Sequence, residues 1–248
     1  MRIAALSDIH GNLAALNVVL ADIERHSVDY VVCLGDLVSL GPFPRQVIEH
    51  ILSLGCPVVQ GNTDAWYAEP LPDDWEPSNE QQALVYDCYV WLDGQLTAEQ
   101  HDFLLKLPFK QRIGPVLCVH GSPRDNSEAM LPDTQDEELA AMVADIPAGI
   151  EVVLCGHTHL PMRREVCIEP GRAPRDLAIV NSGSVGMPTD GNPSPCYALL
   201  QRGSEGWQVQ WRRPAYEVEP AIYAAQRTGM PHVDTITAAW RSSQGLMA

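Results

Sequence analysis

The chain has 248 residues, 46% of them apolar, which is enough to bury the core of one large domain. Its 16 basic and 32 acidic residues give a formal net charge of -16, which opposes unspecific binding to nucleic acid or to an anionic membrane. A site for an anionic substrate would therefore need local positive charge, which metal ions could supply.

The first part of the chain alternates predicted strands and helices. Residues 2–7 are typical of a buried strand, and leucines recur at helical spacing after Asn12, a plausible N-cap. A second strand is predicted at residues 30–34. Pro44 then opens a second helix, and a third strand is predicted to begin at residues 57–59. This alternation favours a sheet covered by helices.

Residues 66–110 interrupt the alternation, because they are rich in Trp, Pro, Asp and Glu and contain two helix-like stretches. We interpret this segment as a small helical cap insert within one domain of residues 1–248. Core strands are predicted again at residues 116–119 and 152–155. The strand-like runs between residues 162 and 213 are expected to form a second sheet.

Five polar blocks each follow a predicted strand. They are Asp8-Ile9-His10, Gly35-Asp36, Gly61-Asn62-Thr63-Asp64, His120-Gly121 and Gly156-His157-Thr158-His159. A lone Asp or His at a strand end is more often a helix cap than a ligand. In open α/β sheets, however, strand ends converge on the ligand crevice, and the joint occurrence of the blocks favours a metal site. Mixed oxygen and imidazole donors suit manganese, iron, zinc, cobalt or nickel.

The ordered blocks match the pattern D-x-H, GD, GN-x-D/E, H and GH-x-H, so the chain resembles the calcineurin-like metallophosphoesterase superfamily over about residues 1–220. Three further stretches, Leu40-Gly41-Pro42, His120-Gly121-Ser122-Pro123-Arg124 and residues 181–186, are similar to the small bacterial branch of that family. This branch includes simple phosphodiesterases and diadenosine tetraphosphate hydrolases.

The resemblance implies an α/β (α+β) fold, a four-layer αββα sandwich of two mixed sheets flanked by helices. It also implies two divalent transition-metal ions, manganese first and iron, zinc, nickel or cobalt as alternatives, with a metal-bridging hydroxide that attacks phosphorus. The implied ligands are Asp8, His10, Asp36 and His159 for one ion, and Asp36, Asn62, His120 and His157 for the other. Among them, Asp36, Asn62 and His120 are the candidate catalytic residues.

Thr63 departs from the family pattern, since many relatives have a histidine there that is thought to protonate the leaving group or to stabilise the transition state. Threonine cannot act as a general acid near neutral pH, so the acid stays unassigned and Asp64 is expected to orient or support its surroundings. Thr63 and Arg124 are candidate substrate-binding residues. Arg124 could aim a guanidinium at a phosphate, or it could be an ordinary loop arginine.

The sequence thus predicts a metal-dependent phosphoric ester hydrolase that cleaves phosphodiester or phosphoanhydride bonds in a small phosphorylated substrate. The alternatives are a dinucleoside polyphosphate hydrolase, a protein phosphatase and, outside enzymes, an interaction scaffold similar to the retromer subunit of this fold. No nucleic-acid or membrane surface is expected, and a homo-oligomer is possible. The start of the chain lacks a signal-peptide pattern and the seven cysteines are scattered, which favours the cytoplasm.

Overall fold

The structure is a computed structural model that describes residues 1–66, 75–168 and 175–245. The strands in these ranges are β1 (Arg2–Leu6), β2 (Tyr30–Cys33), β3 (Gln111–Ile113), β4 (Val116–Cys118), β5 (Val152–Cys155), β6 (Met162–Ile168), β7 (Arg175–Asn181), β8 (Tyr197–Gly203) and β9 (Gly206–Arg212). The α-helices are α1 (Leu13–Ile23), α2 (Pro44–Leu54), α3 (Asn62–Ala65), α4 (Glu80–Asp93), α5 (Ala98–Leu105), α6 (Asp136–Met142), α7 (Val218–Ala225) and α8 (Val233–Ser242).

The strands form two mixed sheets. One has four strands in the order β2-β1-β8-β9, and the other has five in the order β3-β4-β5-β7-β6. The strands that precede the polar blocks are parallel neighbours, β1 beside β2 in the first sheet and β4 beside β5 in the second. Their carboxyl ends therefore lie at the same edge of each sheet.

Alternating side chains divide the core into layers, as strand geometry requires. In β1, Ile3 and Ala5 pack between the two sheets, whereas Ala4 and Leu6 pack with α1 and α2 on the outer face. On the outer face of the second sheet, Leu139 of α6 joins residues of β4, β5 and β7. The order helix, sheet, sheet, helix confirms the predicted αββα sandwich.

Local signals place the first two helices where the sequence predicts them. The side chain of Asn12 caps α1 by accepting a hydrogen bond from the backbone N–H of Ala15 at 3.1 Å. Pro44 is the first residue of α2, where its missing N–H costs nothing, and Gly55 ends the helix at a φ of 59°.

Helices α4 and α5 correspond to the two helix-like stretches of residues 66–110. Leu92, Leu96, Leu104 and Leu107 are buried in the same cluster as α1 and α2. The described part of this segment thus contributes to the core, and its role as a cap over the substrate stays a prediction. Residues 67–74 lie outside the described residues.

Two expectations about the strands are wrong. Residues 162–213 do not form a sheet of their own, because β6 and β7 extend the sheet of β4 and β5, whereas β8 pairs antiparallel with β1. Residues 57–59 form only an isolated parallel bridge between Val58 and Cys33. Asn62 accordingly begins the short helix α3 instead of directly following a regular strand.

Within the described ranges, no helix is both long enough and apolar enough to span a lipid bilayer. The seven cysteines all carry free thiols, as their scattered positions predict. The cytoplasmic location stays a prediction.

Candidate metal centre

The polar blocks meet at one end of the sandwich because the loops after the parallel strands are hydrogen-bonded to each other. The N–H of Asp8 donates to the carbonyl of Gly35 at 3.0 Å, and the N–H of His10 donates to that of Asp36 at 3.0 Å. In the second sheet, the N–H of Gly156 donates to the carbonyl of His120 at 2.9 Å. The structure brings all seven sequence-predicted ligands into one cluster.

One half of the cluster contains Asp8, His10 and His159. The Nε2 atoms of the two histidines lie 3.1 Å apart, and Nε2 of His159 lies 3.3 Å from Oδ1 of Asp8. Asp36 approaches the same group, with its Oδ2 at 3.7 Å from Nε2 of His10. These four donor groups are those predicted for the first ion.

The other half is built around His120. Its Nε2 lies 2.9 Å from Oδ1 of Asn62, 3.5 Å from Oδ1 of Asp36 and 3.9 Å from Oδ1 of Asp8. His157 completes this half, with Nδ1 at 2.9 Å from Oδ1 of Asn62. Asp36 thus offers one oxygen to each half, as expected for a bridging ligand.

Backbone carbonyls orient three of the imidazoles through their Nδ1 atoms. The partners are Ser39 for His10 at 2.9 Å, Leu34 for His120 at 2.6 Å and Met187 for His159 at 2.6 Å. Each Nδ1 therefore carries the hydrogen, and each Nε2 faces the cluster as a lone pair when the ring is neutral. Such contacts fix the tautomer that binds a metal.

The donor set fits a cation. The lone pairs of His10 and His159 would repel each other at 3.1 Å unless a proton or a metal ion lies between them. Oδ1 of Asp8 is fully buried and has no hydrogen-bond partner among the described residues, an arrangement that is costly without a positive partner. Two triplets, Asp8 with His10 and His159 and Asp8 with Asp36 and His120, each bring their ligand atoms within 4.8 Å of one another.

The charges of the buried cluster are linked. Burial alone would lower the pKa of His120, but the carboxylates of Asp36 and Asp8 outweigh it and raise that pKa to about 10. Burial would raise the pKa of Asp36, but the neighbouring His120 holds it below its usual range. Burial and His159 lower the pKa of His10. A divalent ion that binds Nε2 of His120 would displace a proton from it and so link metal binding to proton release.

The backbone of the cluster is strained in a way that the sequence does not reveal. Five of the seven candidate ligands have a left-handed φ between 47° and 66°, namely Asp8, His10, Asp36, His157 and His159. Such a conformation costs a non-glycine residue about 1–3 kcal/mol and typically occurs at functional sites. The inter-loop hydrogen bonds hold these residues in place and so turn side chains of both sheets toward a common centre.

Close backbone contacts explain two of the family-like stretches. A Cβ on Gly41 would lie 1.7 Å from the carbonyl oxygen of His10, and one on Gly186 would lie 1.8 Å from that of Ile9. No larger residue fits at either position. Both glycines are therefore part of the support for the loop that carries Asp8 and His10.

Thr63 and Asp64 have separate roles. The N–H of Thr63 donates to Oδ1 of Asp36 at 3.0 Å, but its buried hydroxyl has no hydrogen-bond partner among the described residues. The fully buried carboxylate of Asp64 accepts three backbone N–H groups, from Asp36 at 2.8 Å, Leu37 at 2.9 Å and Gly61 at 3.0 Å. Asp64 therefore ties the second and third polar blocks together, which agrees with the supporting role expected from the sequence.

Arg124 is engaged with its own loop and with helix α6. Its Nε donates to Glu128 at 3.0 Å, its Nη2 donates to the same carboxylate, and its Nη1 lies 3.4 Å from the carbonyl of Ala141. A contact with substrate, for Arg124 as for Thr63, stays a prediction. The partnership with Glu128 is a feature that sequence reasoning missed, because a spacing of four residues signals an ion pair on a helix and residues 124–128 form a loop.

Residues 1–205 match the sequence model of the calcineurin-like phosphoesterase superfamily domain. An uncharacterized protein of Methanocaldococcus jannaschii is 28% identical over 242 residues, which cover 92% of this chain and 93% of that protein. The crystal structure of a metallophosphoesterase from Sphaerobacter thermophilus shares 27% identity and a TM-score of 0.78, over 98% of this chain and 99% of that one. A hypothetical protein from Pyrococcus horikoshii shows the same fold at 23% identity and a TM-score of 0.78, with 98% of each chain covered.

The chain belongs to the calcineurin-like phosphoesterase superfamily and is a phosphoric ester hydrolase. The family match covers every strand except β9, as well as all seven candidate ligands, and so confirms the class predicted from the polar blocks.

Proposed function

We propose that the protein hydrolyses phosphodiester or phosphoanhydride bonds with two divalent metal ions held by the cluster. The observation that carries this proposal is the position of Asp36, whose two carboxylate oxygens face His10 and His120 in opposite halves of the centre. One carboxylate shared between two ligand sets is the arrangement that a pair of ions requires. When bound, such ions activate water and offset charge on the phosphoryl oxygens.

The protein's own residues would hold and orient the ions. Asp8, His10 and His159 would hold one ion, and Asn62, His120 and His157 the other, with Asp36 between them. The carbonyls at Ser39, Leu34 and Met187 keep hydrogens away from the ligating nitrogens. The support of Asp36 by Thr63 N–H and of its backbone by Asp64 fixes the shared carboxylate before substrate arrives.

Substrates with good leaving groups fit this site best. No imidazole occupies position 63 to protonate a departing oxygen, so an alkoxide would leave slowly. Nucleotide phosphates and aryl oxides leave as weaker bases. We infer that the substrate is a small phosphorylated molecule, a phosphodiester or a dinucleoside polyphosphate, and that manganese is the first ion to test, followed by iron, zinc, nickel and cobalt.

The test is a screen of manganese-loaded protein. The substrates are bis-p-nitrophenyl phosphate, p-nitrophenyl phosphate, cyclic nucleotides and diadenosine tetraphosphate. Preference for the diester or for the tetraphosphate is the expected result. Preference for p-nitrophenyl phosphate would contradict it.

A loaded protein that hydrolyses none of the four would favour the interaction scaffold. The result is meaningful only if two ions are bound, so elemental analysis of the same sample belongs to the experiment. Because every ligand type predicted for the two ions is retained, activity is the expected outcome.

A further inference from the structure

His157 differs from the other three histidines of the centre because its backbone carbonyl partner faces Nε2, whereas theirs face Nδ1. Its Nε2 lies 3.0 Å from the carbonyl oxygen of Ser127, and its Nδ1 lies 2.9 Å from Oδ1 of Asn62. Both neighbours are acceptors. A neutral imidazole has one hydrogen and can donate to only one of them.

The two tautomers have opposite consequences for metal binding. With the hydrogen on Nε2, the ring donates to Ser127 and presents a lone pair at Nδ1 beside Asn62. With the hydrogen on Nδ1, the ring donates to Asn62 instead, and two candidate ligands satisfy each other. The carbonyl of Ser127 therefore selects the tautomer that can bind a metal.

The loop of residues 121–130 is folded tightly enough to hold that carbonyl in place. A Cβ on Gly121 would lie 2.6 Å from the carbonyl oxygen of Asn126, so the chain doubles back on itself just after His120. The N–H of Ser127 donates to Oδ1 of Asp125 at 2.7 Å. The loop thus begins at one ligand of the centre and reaches over to another.

Glu128 closes this loop next to Ser127. Its carboxylate accepts hydrogen bonds from the hydroxyl of Ser122 and from Nε and Nη2 of Arg124, the Nε contact measuring 3.0 Å. The hydroxyl of Ser122, itself fully buried, accepts the N–H of Arg124 at 3.0 Å. Since the side chain of Arg124 is 47% exposed, the ion pair adds little to stability, and its main effect is on the position of the loop.

We propose that Glu128 and Arg124 are positioning residues, which hold the carbonyl of Ser127 against His157 and thereby keep Nδ1 of His157 free for a metal ion. This rests on the proposed function only in taking His157 and Asn62 as ligands of one ion. It assigns Arg124 to the support of the metal centre, in place of the contact with substrate that the sequence suggests.

The first test is calorimetric titration of the metal-free protein with Mn²⁺. Glu128→Ala should lower the affinity for one of the two ions by about 10- to 100-fold and leave the affinity for the other unchanged. Loss of the hydrogen-bond partner of a ligating histidine typically has an effect of this size. Glu128→Gln should lower this affinity less, because the amide oxygen can still accept a hydrogen bond from the hydroxyl of Ser122. The matched control is Glu219→Ala, which removes another two-pronged Arg–Glu pair, with Arg241 at 2.7 Å, away from the centre.

The second test reads the tautomer without any metal. In ¹⁵N-histidine spectra of the metal-free protein at mildly alkaline pH, the wild type should carry the His157 hydrogen on Nε2. Glu128→Ala should move part of the population to Nδ1, whereas Glu219→Ala should not. A change in overall stability alone would not shift this signal.

The outcomes distinguish the positioning role of Glu128 from the proposed two-ion centre. If the wild type binds two ions and Glu128→Ala binds both equally well with an unchanged tautomer, the positioning role is wrong while the proposed function stands. If the wild type binds fewer than two ions, the proposed centre is wrong, and the tautomer measurement alone decides the role of Glu128. Should Glu128→Ala fail to fold, Glu128→Gln is used instead in both the calorimetric and the tautomer measurement.

Discussion

At the scale of single residues, Asp36 has the most consequential position. Asp36→Asn replaces one anionic oxygen by an amide nitrogen and should lower the affinity for both ions. The loss should exceed about 100-fold, which is the upper end of the loss seen when a residue that only supports a ligand is replaced. The measurement is elemental analysis after reconstitution with Mn²⁺, together with activity on bis-p-nitrophenyl phosphate. Asp102→Asn, which removes an exposed carboxylate paired with Lys106, should behave as wild type. Two ions retained in Asp36→Asn would mean that Asp36 is not shared.

The lack of an imidazole at position 63 leads to a prediction about how the rate depends on the leaving group. Without a general acid, which is typically worth about 10² to 10⁴ in rate, hydrolysis of aryl phosphodiesters should slow steeply as the leaving-group pKa rises. Thr63→His should change this slope little, because three backbone N–H groups already bind the carboxylate of Asp64 and leave it at most one lone pair with which to orient a new imidazole. The check is a series of esters of graded leaving-group pKa. A shallow slope in the wild type would show that another residue supplies the proton.

At the scale of elements, helix α5 tests what the segment of residues 66–110 contributes. Leu104 is fully buried against the first helices, whereas the adjacent Leu105 is 42% exposed. Leu104→Ala should lower the free energy of unfolding by about 2–5 kcal/mol, and Leu105→Ala by less than about 0.5 kcal/mol. Urea unfolding of the metal-loaded proteins measures both. Equal effects would mean that α5 packs loosely and belongs to a cap.

At the scale of the whole molecule, the buried charges of the centre link metal binding to stability. Each ion at 100 times its dissociation constant should stabilise the fold by about 2.7 kcal/mol, which corresponds to roughly 5–10 °C in the melting temperature of a chain of this size. Thermal unfolding with Mn²⁺ and with excess chelator measures the difference. Asp36→Asn should show a much smaller shift, and an equal shift in both proteins would place the stabilising ions elsewhere.

Sequence reasoning predicted which polar residues would lie together, because their residue types and order are local properties of the chain. Each of Asp8, Asp36, His120 and His157 follows a short apolar stretch, and parallel strands bring such positions to one edge. The membership of β8 in the first sheet was not predictable, because alternation of apolar residues defines the faces of a strand but not its neighbours.

The sequence by itself determined the class of this protein: five ordered blocks specify the ligand types, and buried strands followed by helices specify the layered fold. Only the tertiary structure decided how those candidate ligands are held. The left-handed backbone at Asp8 and His159, the three N–H groups on Asp64 and the carbonyl of Ser127 at His157 all depend on contacts between segments far apart in the chain. A linear pattern records which groups are present, whereas distances and tautomers arise only when separate loops pack against each other.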